Sequence, residues 1–125
     1  MKLQMAIAAS LMLLSNVAWP AWDTVYETKT AVHYIDPATV QKDGQLRRVL
    51  TLQDLKQRGK RGELSMRALM EYDCMEKRVR PISATAHRDQ MAAGEIVARI
   101  SKPAAWNPIA PASAFATTLR YVCAQ

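Results

Sequence analysis

The run Leu64-Ser65-Met66-Arg67-Ala68-Leu69-Met70-Glu71-Tyr72-Asp73-Cys74 constrains this chain more than any other stretch. Leu64, Met66, Ala68, Met70 and Tyr72 fall on every second position. Successive side chains of a strand point to opposite faces, so this period of two predicts a strand with one face in a core. Cys74 continues the inward parity. The one other cysteine, Cys123, stands in a C-terminal tail whose apolar residues recur at helical spacing. The rest of the chain reads as a sheet assembled around this strand, with the tail fixed to it.

Compartment decides how the cysteines are read. Lys2 gives a short positive start, and residues 5–14 form an apolar run. Such a run suits the hydrophobic part of a secretory signal and falls short of the roughly 20 residues that cross a bilayer. Residues 15–21 supply a cleavage region, with a cut after Ala18 or after Ala21. The expectation is a signal over 1–21 and a single exported domain over 22–125. No cysteine near the cleavage region invites a lipid anchor, and no later stretch has the length and apolarity of a membrane span. Two cysteines in an exported small domain are expected to form one bridge rather than two buried thiols.

The chain carries 17 Lys and Arg against 11 Asp and Glu, a net charge of +6 that becomes +5 once Lys2 leaves with the signal. In the cytosol this balance would point to nucleic acid. In an exported protein it points to sulfated glycans, lipid head groups or acidic patches on other proteins.

Residues 22–27 read as a first strand and 31–35 as a second, which Asp36-Pro37 is expected to end. Residues 37–40 then form one helical turn. Asp43-Gly44 marks a tight hairpin, because glycine supplies a positive φ. The third strand, 46–55, has broken alternation and room for a bulge. Residues 56–62 hold two glycines and no apolar side chain, and read as a mobile basic loop. A return strand over 77–87 pairs with the central one, and Pro81 marks an edge or a bulge. Residues 94–100 form a last strand. Ser113 caps a helix that turns Phe115, Ala116, Leu119, Val122 and Cys123 to one face.

The fold class is therefore α+β: an antiparallel sheet of five or six strands with one C-terminal helix packed on one face and tied by the disulfide. A helix about 10 Å wide cannot cover six strands spanning about 25 Å. The uncovered surface predicts a homodimer or a docked protein ligand.

Little in the chain carries chemistry. His33 and His87 read as structural or surface residues, no ligand spacing resembles a metal site, and no serine stands in a nucleophile elbow. Glu71 and Asp73 share the outward face of the central strand, with Arg78 and Arg80 on its neighbour. A carboxylate pair can do acid–base work, but facing arginines favour a cross-strand ion-pair cluster. No enzyme activity and no cofactor are expected. Trp22 and Trp106 are expected to close the ends of the core rather than to stack a ligand. Lys56, Arg58, Lys60 and Arg61 share one loop, and Arg47, Arg48, Arg67, Lys77, Arg78 and Arg80 lie on strands placed nearby. The binding set drawn from these is Lys56, Arg58, Lys60, Arg61, Arg78 and Arg80, facing a protein or sulfated-glycan ligand. The alternative is an ordinary solvated surface.

In order along the chain stand Trp22, Tyr34-Ile35-Asp36-Pro37, a hairpin across Gly44, Ser65, Glu71-Tyr72-Asp73-Cys74, Arg78, Arg80, Gly94, Trp106, Pro111-Ala112-Ser113 and Cys123. This pattern, over residues 22–125, resembles the surface-adhesin protein E family of Gram-negative bacteria. The resemblance implies an antiparallel sheet with a C-terminal helix fixed by a disulfide, which by position falls on Cys74 and Cys123. It also implies a non-enzymatic exported protein, at the cell surface or in the periplasm. The family's named adhesins bind host matrix and plasma proteins. The chain departs from the pattern in lacking a lipobox cysteine and a glycine before Ser113. A periplasmic inhibitor or accessory factor docking on an envelope protein is the second reading, and a small hydrolase using Glu71 and Asp73 the third.

Overall fold

The computed structural model describes residues 20–125. The signal expected over 1–21 lies outside them, apart from Pro20 and Ala21. The elements are β1 Asp23–Glu27, β2 Ala31–Asp43, β3 Leu46–Leu55, β4 Ser65–Asp73, β5 Arg78–His87, β6 Ile96–Ile100, β7 Asn107–Pro108 and α1 Ala114–Cys123. Strands β1 to β6 follow one another across an antiparallel sheet in chain order. The two-residue β7 adds to β5 beside Arg78 and Val79. The expected α+β architecture is present.

β2 does not stop at Asp36-Pro37, and residues 37–40 form no helical turn. The strand runs on to Asp43 through a bulge: Asp36 pairs with Leu50, Gln41 pairs with Arg48, and residues 37–40 stand opposite Val49 alone. Pro37 costs no ladder bond there, because the ladder is already open. Side chains satisfy the released groups. The Asp36 carboxylate accepts from the Ala38 N–H at 3.1 Å. The Thr39 hydroxyl donates to the Asp36 carbonyl at 2.7 Å and accepts from the Leu50 N–H at 2.9 Å. The bulge expected in the third strand thus sits in the second. A further bulge skips Ile82, where Leu69 pairs with Ser83 and Met70 with Pro81, so Pro81 marks the irregularity its chemistry implies.

β2 and β3 are joined by Gly44-Gln45, with Gly44 at φ +56°. This is the left-handed conformation that a two-residue hairpin needs. The β4–β5 turn is held by Asp73, whose carboxylate accepts from the N–H groups of Met75 and Glu76, both at 3.0 Å.

Register places Ile35, Thr51, Ala68 and Ala84 on one face of the sheet, together with Val49, Met70, Tyr72 and Val79. α1 packs on this face against β1, β2 and β3. Ile35, Val49, Met70, Tyr72, Val79 and Val122 form the core. Burial raises the Tyr72 phenol well above its ordinary value, and a side-chain hydrogen bond with Thr118 offsets part of that rise. Ser113 caps the helix as expected, its hydroxyl accepting from the Ala116 N–H at 3.3 Å. The inward stripe differs from the expected one. Ala116, Thr118 and Val122 are buried, while Phe115 keeps 43% of its surface exposed. Phe115 lies at the rim of a groove beside the helix instead.

Cys74 and Cys123 are bonded, with Cα atoms 5.8 Å apart across a sequence separation of 49. A loop of that length loses about 4 kcal/mol of unfolded-state entropy. A ten-residue helix is marginal by itself, so the bridge and the packing of Val122 hold the helix on the sheet.

Candidate binding surfaces

The structure separates the basic residues that the sequence reading groups together. Asp54 pairs with Ser65 at one end of the sheet, and Leu46 pairs with Asp73 at the other. Lys56, Arg58, Lys60 and Arg61 follow β3 at the first end. Arg78 pairs with Asp73 at the second. Eight strand residues separate the two ends, about 27 Å. The six-residue set is therefore two sites.

The 56–62 loop is bonded in place rather than loose. Lys56 Nζ pairs with Glu27 at 2.8 Å. The Arg58 guanidinium donates to the carbonyls of Gly62 at 2.6 Å and Arg88 at 2.7 Å. Gly59 and Arg61 donate their N–H groups to the Glu63 carbonyl and carboxylate, at 2.8 and 2.9 Å. Lys60 and Arg61 are exposed, and among the described residues neither side-chain cation pairs with a carboxylate.

At the other end, the face opposite the helix carries an ion-pair row. Arg48, Glu71 and Arg80 stand in register across β3, β4 and β5. Glu71 accepts from Arg48 at 2.7 Å and pairs with Arg80 at 2.8 Å. Asp73 pairs with Arg78 at 3.0 Å and accepts from the Gln45 amide at 3.1 Å. The two carboxylates lie on the outward face and form the cross-strand ion pairs expected of them, yet neither meets solvent, since Glu71 is 1% and Asp73 0% exposed. The guanidinium groups seal them, and Trp106 covers the guanidinium groups. Its ring centroid lies 4.5 Å from Arg78 and 4.4 Å from Arg80. Trp106 thus forms cation–π contacts on the second face rather than closing the core.

Burial raises the Glu71 carboxyl, but the hydrogen bonds and charges of Arg48 and Arg80 outweigh it and hold Glu71 below its ordinary value. Burial likewise raises Asp73, and the Glu76 N–H, Arg78, Gln45 and the Met75 N–H overcome it. Each carboxylate is bound by several donors, an arrangement that suits an ion pair.

The histidines lie on strands, His33 in β2 and His87 in β5. Burial lowers His33 below its usual range. His87 is buried, with Nε2 2.8 Å from the Thr85 hydroxyl. Among the described residues no group of His, Cys, Asp and Glu could hold a metal ion. No described helix is long and apolar enough to cross a membrane.

Two concavities stand out among the described residues. One, of about 380 Å³, lies beside the helix, where Phe115 and Thr118 meet Met66, Ala68 and Met70. The other, of about 360 Å³, lies on the opposite face among Leu50, Leu69, Ser83, Thr85, Arg67 and Arg99. Sequence reasoning named Arg67 only as a neighbouring strand residue and missed Arg99. The alternation of Ile96, Ala98 and Ile100 against Val97 and Arg99 is the signal that puts Arg99 on the outer parity.

The sequence pattern of the family described as surface-adhesin protein E matches residues 22–124. Among solved structures, crystal form II of Haemophilus influenzae protein E aligns with a TM-score of 0.59 at 14% identity, covering 86% of this chain and 94% of that one. Protein E from non-typeable Haemophilus influenzae aligns with a TM-score of 0.54 at 16% identity, covering 86% of this chain and 82% of that one. At these identities the likeness is one of fold. No curated protein matches the chain. With the match running from Trp22 to the residue after Cys123, and with the same sheet-and-helix architecture, the chain belongs to the surface-adhesin protein E family.

Proposed function

We propose that this chain is an exported, non-enzymatic binding protein that meets a protein or anionic glycan partner outside the cell. The exposed tip at Lys60 and Arg61 and the sheet surface left open by the single helix would form its contact regions. The observation that carries this reading is the division of charge on the face opposite the helix. Its carboxylates, Glu71 and Asp73, are buried under arginines, while Arg48 keeps 46% and Arg78 39% of its side-chain surface in water. Buried, fully bonded acids suit a scaffold, and partly free guanidinium groups suit recognition of carboxylate or sulfate. The family and the protein E fold point the same way.

The test is binding of the purified domain to immobilised matrix proteins and sulfated glycans across a salt series. A charge-borne contact weakens as salt rises, and Lys60→Glu with Arg61→Glu weakens it at low salt. Binding that ignores both salt and charge reversal counts against the basic tip. A stable complex recovered only with an envelope protein would favour the periplasmic accessory role.

A further inference from the structure

We propose that the recess between Arg67 and Arg99 is a subsite for the sulfate groups of an acidic oligosaccharide. This rests on the binding-protein reading above and assigns the ligand class and the residues. Arg67 pairs with Thr85, and Thr85 pairs with Arg99, so the three stand in one row across β4, β5 and β6. The two arginines are two strand spacings apart, about 10 Å. Both are exposed, and among the described residues neither has an acidic partner within 4.0 Å. They differ in this from Arg48, Arg78 and Arg80, which all hold carboxylates.

The recess measures about 360 Å³, with Leu50 and Leu69 as apolar surface and hydroxyls from Ser83, Thr85 and Ser101. Its composition decides between an acidic peptide and an acidic glycan. At Ser83–Thr85 the sheet is continuous on both sides or nearly so: β4 pairs along one edge of β5 and β6 along the other from Ala84 onward. The main-chain groups beneath the recess are engaged in ladders, and the open edge of the sheet runs along the outer side of β6, beside the recess, so a peptide lying in the recess gains nothing by the strand addition through which extended peptides bind sheets. Recognition must come from side chains. Guanidinium forks match the oxygens of a sulfate, the hydroxyls match sugar hydroxyls, and the leucines match the apolar edge of a sugar ring. The face also continues as a cationic track. Glu71, with Arg48 and Arg80 on either side, lies four residues along β4 from Arg67, about 13 Å away. A chain with repeated sulfates can therefore reach from the free arginines to the paired ones.

The test is calorimetric titration of the purified domain with a heparin-derived tetrasaccharide, its desulfated counterpart and a peptide of four glutamates. The sulfated sugar is expected to bind, and the other two to bind at least ten-fold more weakly. Arg67→Ala and Arg99→Ala should each weaken the sulfated sugar by about ten-fold or more, as loss of a charge-assisted hydrogen bond does. Arg120→Ala, in the last turn of the helix on the other face of the sheet, should leave it unchanged. Both arginines are exposed, and unchanged melting temperatures would show the variants folded. If Lys60→Ala with Arg61→Ala abolishes binding while Arg67→Ala and Arg99→Ala leave it intact, the recess is not the site, although the protein still binds glycans. If the glutamate peptide binds as well as the sugar, the ligand class is wrong. If no probe binds, the subsite falls, and the matrix-protein assay decides the broader reading separately.

Discussion

Glu71→Gln separates a scaffold carboxylate from a working one. The substitution keeps shape and removes one charge from between Arg48 and Arg80, which approach it at 2.7 and 2.8 Å. Removing one partner of a fully buried pair costs about 3–5 kcal/mol. Here the carboxylate is sealed, but Arg48 and Arg80 keep 46% and 27% of their side-chain surface in water. The stranded guanidinium groups are partly rehydrated, which places the loss at about 2–3 kcal/mol. For a domain of this size that lowers the melting temperature by about 10–20 °C. The pH dependence gives a second readout. Glu71 is held below its ordinary value in the folded state, so its stabilisation is present above the unfolded value and is lost as pH falls through the folded one. The wild type should lose melting temperature below about pH 4.3, and Glu71→Gln should do so less steeply. Asp73 contributes in the same direction, so some slope remains in the variant. Thermal unfolding followed by circular dichroism between pH 2.5 and 7 is the assay. A shift under about 2 °C at pH 7, with an unchanged acid slope, would refute the ion-pair reasoning.

The disulfide and the helix cap give two further outcomes. Cys123→Ser opens a loop with a sequence separation of 49 and should cost about 4 kcal/mol, lowering the melting temperature by roughly 15–30 °C; an unchanged value in denaturation of the variant would sink the stapling role. Ser113→Ala removes the hydroxyl that accepts from the Ala116 N–H and should cost about 1 kcal/mol in urea denaturation. No measurable change would mean that the Ser113 cap adds nothing to the stability of the helix.

The sheet was legible because its strands alternate and its turns carry their own chemistry. The even positions of β4 face the core at Met70 and Tyr72, Gly44 turns the β2–β3 hairpin, and two cysteines fix the tail. Residues 37–40 misled for a local reason. Proline after aspartate ends most strands, but the Thr39 hydroxyl, supplying the Leu50 N–H across the strand, lets β2 resume. That is a contact between residues 11 apart, which no local pattern contains. Parity puts Glu71 and Asp73 on the outward face, where their ion pairs with arginines are found, but parity reports which face a side chain takes, not what covers it. The cover comes from the arginines and from Trp106, which returns to β5 through the short β7. Phe115 and Thr118 exchange roles for a related reason. Hydrophobicity favours phenylalanine inside, but the buried slot over Tyr72 suits a threonine that also donates to the Ala114 carbonyl at 3.2 Å. Arg99 went unnoticed because one arginine in a short strand has no neighbour in sequence to mark it, and its row with Arg67 exists only in the folded register.

Protease shaving of intact cells carrying the full chain, with a periplasmic protein as the lysis control, tests most directly whether this is a surface binding protein. Lys60 and Arg61 form an exposed trypsin target at the loop tip. Display outside the cell requires a cut there while the control survives. A chain that stays whole until the outer membrane is opened, and is cut with the control, would contradict surface display and place its partner within the envelope.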